Sequence, residues 1–144
     1  MKNYSETPPS QINKQISWKN LQHLMEQLKS NLDFYYLDLS SLENLIEYYF
    51  SKLVAQENLD ELRELQQEVF NLKTQCDYLK QRLRVDMDGK EAFLQNPPVF
   101  KDENEELEHE IYKFVTEENE LEKAIFSMIQ EVLGSEASEN LTLN

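Results

Sequence analysis

Apolar side chains recur along this chain at alternating steps of four and three. From Ile16 they run through Leu21, Leu24, Leu28 and Leu32, then Tyr35, Leu39, Leu42, Ile46, Tyr49 and Leu53. Such spacing keeps one face of an α-helix apolar, and its persistence over several heptads predicts a coiled-coil seam. Ser40-Ser41-Leu42-Glu43 and Asn58-Leu59-Asp60-Glu61 each place a side-chain acceptor three residues before a glutamate, so each is a potential helix start. A second stripe has Leu62, Val69, Cys76 and Leu83 at a positions and Leu65, Leu72 and Leu79 at d, so every core slot is apolar. Its frame is shifted by two residues from that of Tyr49 and Leu53, which predicts a break or distortion near Asn58.

Residues 86–101 lose the pattern and contain Gly89 and Pro97-Pro98, so they predict a loop or linker. Beyond them Asp102 is the expected cap of a further helix, with Glu105 at its third position. Its seam is Leu107, Ile111, Phe114, Glu118, Leu121, Ile125, Met128 and Val132, and Gly134 is the expected stop. The organisation read from the sequence is a disordered arm over 1–15, an aromatic-rich helical segment over 16–57 and a heptad helix over 58–85. The 86–101 linker, an acidic helix over 102–133 and a disordered tail over 134–144 complete it. The predicted fold is all-α, an elongated coiled coil of two to three long helices. Its C-terminal helix either folds back as an antiparallel hairpin or pairs with a partner chain.

Composition agrees with helices: the chain has 2 glycines, where average usage would give roughly ten, too few for a turn-rich β fold. A mean hydropathy of −0.70 favours a narrow seam over a broad core. Charge adds a constraint on pairing. The net charge is −14, and residues 101–144, with thirteen acids and three bases, hold −10 of it. The positions flanking the last seam include Glu103, Glu108, Glu110, Glu117 and Glu122, so this helix repels a second copy of itself. Folding it back antiparallel stacks Leu83 on Leu107, Leu79 on Ile111, Cys76 on Phe114, Val69 on Leu121 and Leu65 on Ile125. Lys80 then approaches Glu108 and Arg82 approaches Glu110. A parallel coil with a basic-flanked partner relieves the repulsion equally.

Two features exceed what a hairpin needs. Glu118 occupies an a position, where a charge is costly unless it is paired or reaches water, so it either fixes register or marks a frayed, exposed end. Phe34-Tyr35-Tyr36 and Tyr48-Tyr49-Phe50 stand 14 residues apart and share a helix face. With the neighbouring leucines they make the segment apolar around more than half its circumference, which calls for at least two further helices.

Catalytic chemistry has little to build on. His23 and His109 lie on outer faces without neighbours at metal-ligand spacing, and there is no glycine-rich phosphate loop or nucleophile elbow. Asp86-Met87-Asp88-Gly89 departs from a calcium loop, because its glycine comes too early and no acid stands at the twelfth position. Cys76 has no second cysteine to bridge, and the first residues, MKNYSETPPSQINKQ, lack the apolar stretch of a secretory signal, so an intracellular location, cytoplasm or nucleus, is expected. Acids interrupt Leu32–Ala55 and exclude a membrane span there, and the net charge disfavours direct nucleic-acid binding. No cofactor, metal or small-molecule substrate is expected.

The residues expected to meet partners are Phe34, Tyr35, Leu39, Leu42, Ile46, Tyr49, Leu53, Leu62, Leu65, Val69, Leu72, Leu79, Leu83, Leu107, Ile111, Phe114, Leu121, Ile125 and Met128. The expected function is that of a non-enzymatic coiled-coil subunit of a larger multi-protein assembly, of kinetochore, spindle-pole or tethering type. It would bridge other helical subunits through helix pairing, as a hetero-oligomer, with a homodimer the alternative. The second reading is an acidic, chaperone-like binder of a basic client such as a histone.

Overall fold

Heptad stripes and scarce glycine leave few places for the chain to stop being helical, and the structure follows that composition. A computed structural model describes residues 9–56 and 59–143. Among them the chain is all-α, with no strand: α1 (Pro9–Tyr48), α2 (Phe50–Gln56), α3 (Leu59–Met87), α4 (Lys90–Gln95) and α5 (Pro97–Leu143). Most of the expected N-terminal arm, and the expected cap at Asn58, lie outside the described residues. The chain divides into two units, one made of Met1–Asp33 with Tyr78–Ile111 and the other of Phe34–Asp77 with Tyr112–Asn144. Helices α1, α3 and α5 each contribute to both.

In the first unit Trp18, Met25, Leu28, Leu32, Leu79, Leu83, Phe93, Leu107 and Ile111 are buried. Trp18 stands 5.4 Å from Phe93 and 5.8 Å from Phe100, with Phe93 and Phe100 5.7 Å apart, ring centre to ring centre. This triangle corrects the reading of 86–101 as a linker. The segment has two aromatic side chains to bury, and doing so holds α4 and the start of α5 against Trp18. Gly89 permits the approach, since a Cβ there would lie 2.8 Å from the Phe100 ring and 3.1 Å from the Asp86 carbonyl oxygen. Pro97-Pro98 opens α5 instead of preventing it. The first-turn N–H groups have no intrahelical acceptor, so proline loses nothing by lacking one. Asn96 supplies the cap, its Oδ1 accepting from the Val99 N–H at 3.4 Å while its carbonyl accepts from the Phe100 N–H at 3.2 Å. The helix therefore starts five residues before Asp102.

The other end of α5 also differs from expectation. It runs through Gly134 to Leu143, and Gly134 has no positive φ, the conformation a glycine stop would require. At the opposite terminus α1 already includes residues 10–15.

In the second unit Leu39, Leu42, Ile46, Leu53, Leu62, Val69, Leu72, Cys76, Phe114, Leu121, Ile125, Ile129 and Val132 form the core. Lys73 of α3 reaches Glu43 of α1 at 3.3 Å and lies 5.2 Å from the Tyr36 ring centre. Tyr35 meets Phe114 edge to face at 6.2 Å. Helix α1 passes Ser40 without interruption and yields only at Tyr49. There the Tyr49 N–H still donates to Leu45 and its carbonyl accepts from Leu53, at 3.1 and 2.9 Å, so the distortion is local.

Burial also resets the frame of α1. Ile16 and Leu24 are exposed, while Trp18 and Met25 are buried. Trp18, Met25, Leu32, Leu39, Ile46 and Leu53 form one seven-residue series, and the two assigned from the first part of the apolar pattern fall outside it.

Candidate functional site

The inner series of α5 is Asn104, Ile111, Glu118, Ile125 and Val132, and its two polar members meet different fates. Asn104, in the first unit, is buried but satisfied: its Nδ2 donates to Asp86 Oδ2 at 2.9 Å and lies 3.4 Å from the Met25 sulfur. A buried amide with a charged acceptor costs little to keep. Glu118, in the second unit, is fully buried, and neither carboxylate oxygen has a hydrogen-bond partner. The exposed-end alternative for this residue is thereby removed.

Two other carboxylates converge on it. Glu122 stands one turn further along α5, and Asp38 comes from α1 across the unit. One oxygen from each of Asp38, Glu118 and Glu122 lies within 4.8 Å of the others, and the flanking two are half-buried. Burial, then the negative charges and close carboxyl of Glu122 and Asp38, push the Glu118 carboxyl from 4.5 up to about 7. Tyr35, beside the same group, is raised by burial and then by Glu118, Asp38 and Glu122, with Asn119 opposing through a hydrogen bond.

No protein family, curated protein or solved structure matches this chain. The site is therefore read from its own chemistry.

Fourteen of the residues expected to meet partners are buried within this one chain: Leu39, Leu42, Ile46, Leu53, Leu62, Val69, Leu72, Leu79, Leu83, Leu107, Ile111, Phe114, Leu121 and Ile125. A partner reaching them would have to displace the chain's own helices. Tyr35, Tyr49, Leu65 and Met128 are half-buried, and Phe34 is 60% exposed. The large apolar side chains that the second unit leaves outside include Leu37, Tyr48, Phe50, Phe70, Tyr112 and Phe126. Of these, Leu37, Tyr48 and Phe50 belong to the aromatic-rich face recognised from the sequence. A groove of about 440 Å³ between α3 and α5 of this unit is lined by Glu68, Glu117 and Glu120 with Asn71, Leu72, Gln75, Leu121 and Ala124. Its polar lining consists of carboxylates and side-chain amides. Cys76 is buried. Among the described residues no helix is long and apolar enough to cross a membrane.

Sequence reasoning singled out Glu118 but missed Asp38 and Asn104. The signal for Asn104 was present, because it stands two heptads before Glu118. Asp38 offered none, since it lies 80 positions from Glu118 and sits on the margin of its own helix face.

Proposed function

We propose that this chain is a non-enzymatic helical subunit of a larger multi-protein assembly, of kinetochore, spindle-pole or tethering type, and that it bridges other helical subunits inside the cell. On this reading the last helix returns antiparallel along residues 62–83 as a coiled-coil hairpin in cis, and partners meet the outer faces instead of the seam. In support, the seam residues are already covered by the chain itself. Within the first unit Arg82 lies 3.4 Å from Glu110, a pairing that antiparallel charge matching anticipates. Lys80 also lies 3.2 Å from Asp33 of α1, so α3 serves two neighbours there.

The observation that carries the proposal is the apolar surface remaining once the seam is filled. Phe34, Leu37 and Tyr48 are 60, 66 and 80% exposed. Exposed aromatics are common anchors in protein interfaces, where they combine large contact area with few rotatable bonds. The −10 charge on residues 101–144 opposes a copy of the same helix, which favours a hetero-oligomer. That same charge supports the second reading, an acidic chaperone-like binder of a basic client such as a histone.

Mass determination in solution, with and without co-purifying proteins, tests the first reading, followed by a salt titration of whatever complex is recovered. Association that survives moderate salt and is lost on replacing Phe34 and Tyr48 by alanine supports the assembly subunit. Association lost with salt alone supports the acidic binder. A monodisperse monomer that retains no partner overturns the obligate-subunit reading.

A further inference from the structure

The layer around Glu118 is incomplete as an all-protein arrangement. Three carboxylates converge from two helices, and the innermost is fully buried with both oxygens lacking a donor. A buried carboxylate left this way is normally matched by a cation or by a proton. We propose that Asp38, Glu118 and Glu122 bind a hard divalent cation of the calcium class.

The donor set fits that chemistry. It consists only of carboxylate oxygens, with no imidazole or thiolate, and such sets favour Ca²⁺, Mg²⁺ or Mn²⁺ over Zn²⁺ or Cu²⁺. The 4.8 Å limit on the separation of the three oxygens is about twice the Ca²⁺–oxygen distance of roughly 2.4 Å. At that limit an ion equidistant from all three would stand about 2.8 Å from each, so an inward shift of a few tenths of an ångström brings the three oxygens to the Ca²⁺ distance. The smaller Mg²⁺ would require the oxygens to contract toward ideal octahedral edges and would keep more of its water. Asp38 and Glu122 are half-buried, so they give the ion a way in and leave positions where water completes its coordination. Glu118 forms the closed inner wall. The site joins residues distant in the chain, so cation binding clamps α1 to α5 within the second unit.

The competing occupant is a proton shared between Glu118 and Glu122, and calcium titration of the full chain after chelator treatment separates the two. At pH 7.5, Ca²⁺ at about a hundredfold excess over its dissociation constant should raise the melting temperature by about 5 to 10 °C. Calorimetry should show one site. Glu118→Gln, which mimics the protonated side chain, should melt cooperatively yet weaken Ca²⁺ by about tenfold or more, as should Asp38→Asn. Mg²⁺ should produce a smaller shift at equal concentration. No heat and no shift up to millimolar Ca²⁺ overturns the proposal in favour of the shared proton. An unchanged response in both variants overturns it in favour of diffuse binding to the acidic surface, and an equal response to Mg²⁺ overturns the calcium class.

Discussion

Glu118→Gln in the presence of a chelator should make the chain more stable, and by an amount that depends on pH. The Glu118 carboxyl is raised from 4.5 to about 7 by burial and by Glu122 and Asp38. Between those two values the folded chain holds a proton that the unfolded chain has released. Stability therefore falls as pH rises through this window and levels off above it. Each unit of difference corresponds to about 1.4 kcal/mol, so the ionised folded state carries a penalty of up to about 3 kcal/mol at pH 8. Glutamine has nearly the same shape and cannot ionise. The variant should match the parent near the lower end of the window and exceed it by up to about 3 kcal/mol at pH 8. For a chain of this size that is a gain of about 6 to 12 °C in melting temperature. Urea denaturation of both proteins from pH 5.5 to 8, followed by circular dichroism, isolates the effect, because the other carboxyl groups are common to both. A difference that stays constant over that range would refute the reasoning, and so would a variant less stable than the parent at pH 8.

Phe93→Ala should cost about 3 to 5 kcal/mol, the usual penalty for emptying a fully buried aromatic position. It should also shift Trp18 emission to the red, a clean readout because Trp18 is the chain's 1 tryptophan. The two glycines should respond oppositely to alanine. Gly134 has open space around its Cβ position within α5, so the substitution should stabilise by about 0.5 to 1 kcal/mol. Gly89→Ala should destabilise by about 1 kcal/mol or more, since the new methyl meets Phe100 and the Asp86 carbonyl. Asn96→Ala removes the cap of α5 and should cost about 1 kcal/mol in thermal or urea unfolding.

The helices were legible because heptad burial leaves a strong periodic trace. Leu62, Val69, Cys76 and Leu83 were assigned to the core of α3 from spacing alone, and all four are buried. In the first turns of α1 the same rule failed, because Ile16 and Leu24 outrank Trp18 and Met25 only if aliphatic character is given more weight than register. Helix ends were the weakest point. Proline and glycine at 89–98 and 134 read as terminators in the sequence, yet proline in a first turn forfeits nothing and an exposed helical glycine costs about 1 kcal/mol, too little to halt a long helix. The aromatic triangle escaped because Trp18 and Phe93 are far apart in sequence and nothing local links them. The carboxylate layer was half visible: spacing exposed Glu118 as an anomaly, but its neighbours on α1 follow from packing, which no single helix encodes.

The interleaving of the two units along the chain has a consequence for inheritance. Unit one resumes at Tyr78 only after Phe34–Asp77 has supplied part of unit two, and unit two resumes at Tyr112. Neither can be copied, lost or grafted as an uninterrupted stretch of coding sequence. Recombination that shuffles continuous blocks would therefore separate segments that each unit needs.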